Sequence, residues 1–204
     1  MSSLLQQLNN EMSGIVEKAR RSLVRIGNGR GGAGAGTIWH TDGLIVTNAH
    51  VVQRGSLEVI LPDGRKLPAK VLAHDPDRDL AALSINAYGL PTVELGNSRG
   101  LQPGHLVFAL GHPWGVAGAV SAGPVINVGL PPEIPRIARE FVQAGLQLRP
   151  GHSGGPMVDV QGRLVGINTM ITGPEVGLAV PVHVVKDFLQ HHLGSKSTKT
   201  VTYI

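Results

Sequence analysis

With 204 residues, 28 glycines and 14 prolines, the chain is long enough for one large β domain or two small ones, and too rich in turn formers for a helical bundle. A net charge of +4 is mild, and an aromatic content of 3% provides few base-stacking platforms, which argues against a nucleic-acid partner. Cysteine is absent, so disulfides, thiolate zinc sites and thiol catalysis are excluded while the redox compartment stays open. The start, Met1 to Asn10, has neither a basic n-region nor a long apolar stretch, and no segment is long enough to span a membrane. The expectation is a cytoplasmic protein without a membrane partner.

Leu5, Leu8, Met12, Ile15, Val16 and Ala19 recur at helical spacing and predict one apolar face over residues 3 to 20. That face either docks on the body of the chain or makes a subunit contact. Ser22 to Ile26 alternates like a strand and runs into a glycine-rich stretch, Gly27 to Gly36. Its glycines 27, 29 and 32 spell a dinucleotide fingerprint, but the following residues, Thr37 to Gly43, read as strand and turn where a phosphate-binding helix should start. The stretch is therefore read as a flexible turn between strands.

Strands and turns then alternate closely: Thr37 to Trp39, Leu44 to Thr47, Leu57 to Leu61, Lys66 to Ala73 and Leu80 to Ile85. A second set follows Pro103-Gly104: His105 to Leu110, Ala119 to Val128, Phe141 to Leu148, Met157 to Asp159, Leu164 to Met170 and Gly177 to Val180. Pro181 to Leu193 reads as a closing helix with Pro181 in its first turn. The expected division is an N-terminal helix (1–20), a first β unit (21–104), a second with the closing helix (105–193) and a tail (194–204). The tail is Lys- and Thr-rich and expected to fray, and its last residues, Thr202-Tyr203-Ile204, would suit a β-augmentation groove.

Chemistry concentrates in Pro150-Gly151-His152-Ser153-Gly154-Gly155-Pro156. A serine hydroxyl attacks a carbonyl at neutral pH only when a base takes its proton and backbone N–H groups hold the oxyanion, and flanking glycines leave those amides bare. Of the nine histidines, His50 has the most specific setting, at the end of the strand Leu44 to Thr47 and ahead of Val51-Val52. The orienting carboxylate is sought in His74-Asp75-Pro76-Asp77-Arg78-Asp79. Asp79, at the threshold of an apolar strand, is chosen, and Asp75 and Asp77 are read as solvated turn residues. His183, His191 and His192 lack metal-ligand spacing, so neither a metal nor another cofactor is expected.

Thr47-Asn48-Ala49-His50-Val51-Val52, Asp79-Leu80-Ala81-Ala82-Leu83, Leu110-Gly111-His112-Pro113-Trp114-Gly115, Gly151-His152-Ser153-Gly154-Gly155-Pro156 and Gly166-Ile167-Asn168-Thr169 resemble the successive motifs of HtrA-type (Deg-type) trypsin-like serine proteases. The resemblance covers roughly residues 20 to 190. It implies an all-β fold of two perpendicular six-stranded antiparallel barrels of the chymotrypsin kind, with His50, Asp79 and Ser153 as the triad. It also implies an oxyanion hole at the amides of Gly151 and Ser153. Substrate would bind against Gln147, Leu148, Ile167, Asn168, Thr169, Leu178 and Val180. Gln147 stands where a trypsin carries a carboxylate, so small or medium aliphatic side chains are expected in the pocket rather than Lys or Arg.

The implied function is a serine endopeptidase acting on unfolded or flexible polypeptides, in protein quality control. Departures from the family pattern are His152 where Asn is usual, Ala144-Gly145-Leu146 where Thr-Asp-Ala is usual, no aromatic residues for trimer contacts near the N-terminus, and an end too early for a PDZ domain. A homotrimer through the N-terminal helix is compatible with the sequence rather than expected. The loop from Asn127 to Arg136 is a candidate for switching the oxyanion hole. Two rival readings stay open: a silent protease-like module that binds unfolded chains, and an esterase, since Gly151 to Gly155 spells G-x-S-x-G with Asp159 and His183 following.

Overall fold

The computed structural model describes residues 3–27, 33–52, 56–131, 139–172 and 175–194. An N-terminal helix, α1 (Leu4–Arg20), leads into β1 (Leu23–Gly27), β2 (Ala33–His40), β3 (Leu44–Thr47), β4 (Leu57–Ile60), β5 (Lys66–Asp75) and β6 (Leu80–Ile85). β7 (Leu106–Gly111), β8 (Ala119–Gly129), β9 (Phe141–Gly145), β10 (Pro156–Val158), β11 (Leu164–Thr172) and β12 (Val176–Pro181) follow, and α2 (Val182–Leu193) closes the described chain. All pairings between these twelve strands are antiparallel. They close two barrels, in the orders β1-β2-β3-β6-β5-β4 and β10-β11-β12-β9-β8-β7.

Strand alternation explains how two barrels share one hydrophobic layer, because successive side chains point to opposite faces. In β3, Ile45 fills the first barrel while Val46 faces outward to the layer between barrels; in β6, Leu83 points in and Leu80 and Ala82 point out. β7 repeats this in the second barrel, with Val107 and Ala109 inside and Phe108 and Leu110 outside. α2 covers that layer with Val182, Val185, Phe188 and Leu189, all buried. Any site between the barrels is therefore built on strands that are buried on both faces.

Three sequence expectations change. α1 forms, with Ser3 Oγ accepting from Gln6 N–H at 3.2 Å as its N-cap, but only its second half docks. Ala19 is buried and Met12, Ile15 and Val16 pack on the core, whereas Leu5 and Leu8 are 71% and 53% exposed. The glycine-rich stretch is not merely a turn, because β2 begins inside it at Ala33; residues 28–32 lie outside the described set. A side chain at Gly36 would come within 2.9 Å of Ile26, Ile45 and Val24, so glycine here is a packing requirement. The strand expected over Phe141 to Leu148 ends at Gly145, which frees the following residues for the cleft. The tail beyond residue 194 and residues 132–136 of the loop expected to switch the oxyanion hole lie outside the described residues.

Phe188→Ala removes a fully buried ring with which α2 covers the shared layer and is expected to cost about 3–5 kcal/mol, the range for truncating a buried aromatic. Leu5→Ala should stay within about 0.5 kcal/mol, as surface changes do. Denaturant unfolding of the two variants checks both values.

Candidate active site

The first barrel contributes a clamp at its mouth. β3 ends at Thr47, and a 3₁₀ turn over Ala49–Val51 carries His50. Opposite it, the turn before β6 closes with Asp79 N–H donating to the Pro76 carbonyl at 3.2 Å. Asp79 has φ 53°, a left-handed conformation that aspartate tolerates better than bulkier residues. Asn48 Nδ2 donates to the Asp79 carbonyl at 3.0 Å, and the His50 backbone N–H donates to Asp79 Oδ1 at 3.1 Å. His74 supports the 3₁₀ turn from β5, its Nε2 lying 3.2 Å from the Ala49 carbonyl.

These contacts set the imidazole. His50 Nδ1 lies 2.9 and 3.0 Å from the two carboxylate oxygens of Asp79, which as an ionised carboxylate can only accept. The ring proton therefore sits on Nδ1 and leaves the Nε2 lone pair available as a base. Asp79 is 6% exposed. Burial pushes its carboxyl pKa up, but hydrogen bonds from His50 and from the Thr169 hydroxyl, with the charge of the imidazole, bring it below the ordinary aspartate value. Asp75 is not the solvated residue expected: its carboxylate is largely enclosed and braces the turn by accepting from Arg78 N–H at 2.9 Å and the Arg78 guanidinium at 2.8 Å. Asp77 is exposed, as expected.

The second barrel contributes the turn that carries Ser153. His152 N–H donates to the Arg149 carbonyl at 2.9 Å with Pro150 and Gly151 between, and Gly151 has φ 107°. Proline followed by a residue of positive φ is the signature of a type II turn. A Cβ at Gly151 would approach the His112 carbonyl to 2.5 Å, so the turn needs glycine for space as well as for φ. Gly154, at φ 86°, lies so close to β2 that a Cβ would meet the Ala35 carbonyl at 2.1 Å. Ala35 N–H donates to the Ser153 carbonyl at 2.8 Å and Thr37 Oγ1 to the Gly154 carbonyl at 3.1 Å, fixing the turn against the first barrel. The backbone N–H groups of Gly151 and Ser153 have no partner among the described residues, and neither belongs to a helix or a strand.

His50 and Ser153 line one open cleft of about 380 Å³ with Leu148, Arg149, Pro150, Thr169, Met170 and Ile171. The Ser153 hydroxyl donates to the Thr169 carbonyl at 3.0 Å, and no hydrogen bond joins it to His50. The Ser153 hydroxyl is thus engaged by the second barrel rather than by the imidazole.

Of the expected substrate-binding residues, Leu148 and Thr169 line this cleft, and Thr169 also donates its hydroxyl to Asp79 Oδ2. Ile167, Leu178 and Val180 are buried in the core between the barrels, away from the lining. Asn168 is buried too, its Nδ2 donating to the carbonyls of Leu110 and Pro156. Gln147 is an exposed residue bonded to Arg149 and Glu175 rather than the floor of a pocket. Arg149 and Pro150 fall within the expected wall from Gln147 to Pro150 and do line the cleft, whereas the contributions of Met170 and Ile171, and the hydrogen bond of Asn48 to Asp79, are not evident from the sequence. Of the esterase residues, Asp159 binds Arg163 and His183 binds Ser98 and Glu140, so neither reaches Ser153, and the antiparallel barrels exclude the parallel sheet that fold requires. Among the described residues no group of side chains is arranged to hold a metal ion.

His152 is 4% exposed, with Nδ1 3.1 Å from the Arg149 N–H and 3.2 Å from its carbonyl, and with Nε2 buried and unpartnered. Burial pushes its pKa down, and the Arg149 charge adds to this. His112, whose N–H holds the Gly151 carbonyl at 2.8 Å, is likewise lowered by burial and by the charge of Arg25. In an unfolded chain both would protonate near about pH 6.5. Above that value folded and unfolded states are both neutral; below it the unfolded state takes up protons that the folded state resists, so stability falls with acid. Asp79 adds a loss at lower pH, since its folded pKa lies below the unfolded one and its contribution fades as pH falls through the folded value. His152→Asn should flatten the decline in the denaturant midpoint between pH 7.5 and 5.5, and an unchanged slope contradicts the assignment.

The family model described as Trypsin-like peptidase domain matches residues 34–167. The chain is 36% identical over 166 residues to the "Putative serine protease HhoB" of Synechocystis, covering 78% of this chain and 40% of that protein. It is 42% identical over 164 residues to a "Probable periplasmic serine endoprotease DegP-like" of Pseudomonas fulva, covering 76% and 33%. It is 37% identical over 168 residues to the mitochondrial serine protease HTRA2 of Bos taurus, covering 80% and 36%. The chain thus spans less than half the length of these relatives. Among solved structures, "HtrA-type protease AlgW with decapeptide" superposes with a TM-score of 0.81 at 27% identity, covering 89% of this chain and 67% of that one.

Proposed function

Since this chain belongs to the HtrA-type trypsin-like serine peptidases, we propose that it is an endopeptidase that cleaves unfolded or flexible polypeptides through Ser153, His50 and Asp79. The reading rests above all on one observation: a buried carboxylate orients an imidazole at the rim of the cleft that also holds a serine whose own backbone N–H, like that of Gly151, has no partner among the described residues. In the reaction, Ser153 Oγ turns from the Thr169 carbonyl toward His50 Nε2, gives up its proton and attacks the substrate carbonyl. The N–H groups of Gly151 and Ser153 bind the oxyanion, and His50 passes its proton to the leaving amine. A water deprotonated by His50 then releases the acyl group.

Leu148, Met170 and Ile171 favour aliphatic side chains in the cleft, and none of its lining residues is a carboxylate that would receive Lys or Arg. An open cleft requires an extended segment, which suits unfolded chains and supports a role in protein quality control. A neighbouring HtrA-type protease solved with a decapeptide is consistent with a polypeptide ligand. The bond from Ser153 to Thr169 favours a second reading, a silent module that binds such chains without cutting them.

Incubation with a reduced, unfolded polypeptide decides between the two. Release of new N-termini by the wild type and none by Ser153→Ala supports the peptidase, whereas binding without cleavage by both supports the module. Asp79→Asn should fold and lower kcat by roughly ten thousandfold, the scale seen when the imidazole takes the wrong tautomer. A fully active Asp79→Asn would remove that residue from the mechanism.

A further inference from the structure

The rim of the cleft carries a cation that the chemistry above does not use. Arg149 lines the cleft with Ser153 and His50, immediately ahead of the Pro150-Gly151 turn. Its guanidinium carbon lies 4.9 Å from the centre of the Trp114 ring, and its Nη2 donates to Gln147 Oε1 at 2.7 Å. Arg65, Arg78 and Arg163 each hold an aspartate of their own, but Arg149 forms no ion pair among the described residues. The nearby carboxylate, Glu175, is bonded instead to Gln147 Nε2 at 3.2 Å, so the amide of Gln147 separates the two charges. His152, beneath the turn, is a buried imidazole and supplies no negative charge.

Trp114 is the second, independent oddity. It is 73% exposed and has φ 51°, a conformation that costs energy for a bulky side chain, and its ring gains little from burial. What the ring does is lie beneath the guanidinium, a contact that fixes a long side chain which would otherwise be mobile. The two segments are also locked together, because the His112 N–H holds the Gly151 carbonyl at 2.8 Å and a Cβ at Gly151 would touch the Pro113 backbone. The charge is therefore held in fixed relation to the N–H groups that face the reacting carbonyl.

We propose that Arg149, seated on Trp114, is a carboxylate-recognition residue, which makes the preferred substrate a polypeptide with an acidic group close to an aliphatic cleavage residue. The inference rests on the peptidase reading of the same cleft. A guanidinium carries five N–H donors and only one is committed here, so a planar fork remains for a carboxylate, which binds it in parallel hydrogen bonds. Leu148, Met170 and Ile171 beside it account for the aliphatic neighbour. The carboxylate can come from a Glu or Asp side chain within the chain or from a free C-terminus.

The test uses paired peptides, Glu against Gln, scanned from three residues before to three residues after an aliphatic cleavage residue. A second pair ends in a free carboxylate or in an amide. Wild-type protein should show about tenfold higher kcat/KM for the acidic member at one position, shrinking as salt rises from about 0.05 to 0.5 M. The ratio should fall to about one in Arg149→Gln and be partly kept in Arg149→Lys, an outcome that a merely structural role of Arg149 would not produce. A gain confined to the free terminus identifies the chain end as the source, and a gain at an internal position identifies the side chain. Parity of every pair in the wild type, or a ratio that survives Arg149→Gln, overturns the proposal. The same peptides, labelled, are titrated by anisotropy against Ser153→Ala with and without Arg149→Gln. Arg149-dependent acidic binding without cleavage by the wild type sinks the peptidase reading alone; cleavage with parity sinks this one alone; neither cleavage nor binding sinks both.

Discussion

The carboxylate of Asp79 is the point on which the two barrels agree. It is a charge taken almost wholly out of water, a step that costs several kcal/mol unless its oxygens are saturated with donors. Two donors come from the first barrel, the His50 ring and backbone N–H groups, and one from the second, the Thr169 hydroxyl. A small shift of one barrel against the other would leave that charge short of a partner. The shared layer of Val46, Leu80, Ala82, Phe108, Leu110 and Ile167, covered by α2, holds the barrels in the one relation that satisfies it. The core between the barrels thus determines whether His50 is oriented at all.

The turn that carries Ser153 obeys a second constraint, space. Pro150 and Gly151 set the turn, Gly154 lies almost in contact with β2, and the chain around Ser153 has little freedom left. The freedom that remains is in the Ser153 side chain, which now bonds to Thr169. A rotation about one bond is a small step compared with remaking a turn, so the hydroxyl can leave its carbonyl acceptor while the backbone N–H groups stay in place. The same turn begins with Arg149, so one short segment presents a charge, two N–H donors and the hydroxyl.

Much of this was legible in the sequence because it is local. Alternation in Leu44 to Thr47 and Leu80 to Ile85 revealed strands, and His50, Asp79 and Ser153 stood out in ordered motifs. What was hidden depended on facing rather than on composition. Ile167, Leu178 and Val180 belong to strands buried on both sides, and an apolar side chain in such a strand does not reveal whether it meets a ligand or the core. The double duty of Thr169 and the seat of Arg149 on Trp114 join residues far apart in the chain, and no spacing rule connects them. The exposed half of α1 shows the same limit, since periodicity indicates an apolar face without indicating how much of it is covered.

The most direct measurement is a crystal structure of the protein after treatment with a fluorophosphonate. The account predicts a covalent bond from phosphorus to Ser153 Oγ, with the phosphonyl oxygen about 3 Å from the N–H groups of Gly151 and Ser153. His50 Nε2 would lie within hydrogen-bonding reach of the reacted oxygen, and the bond to the Thr169 carbonyl would be broken. An unmodified Ser153 in folded protein, or an adduct with His50 still turned away from it, would contradict the account.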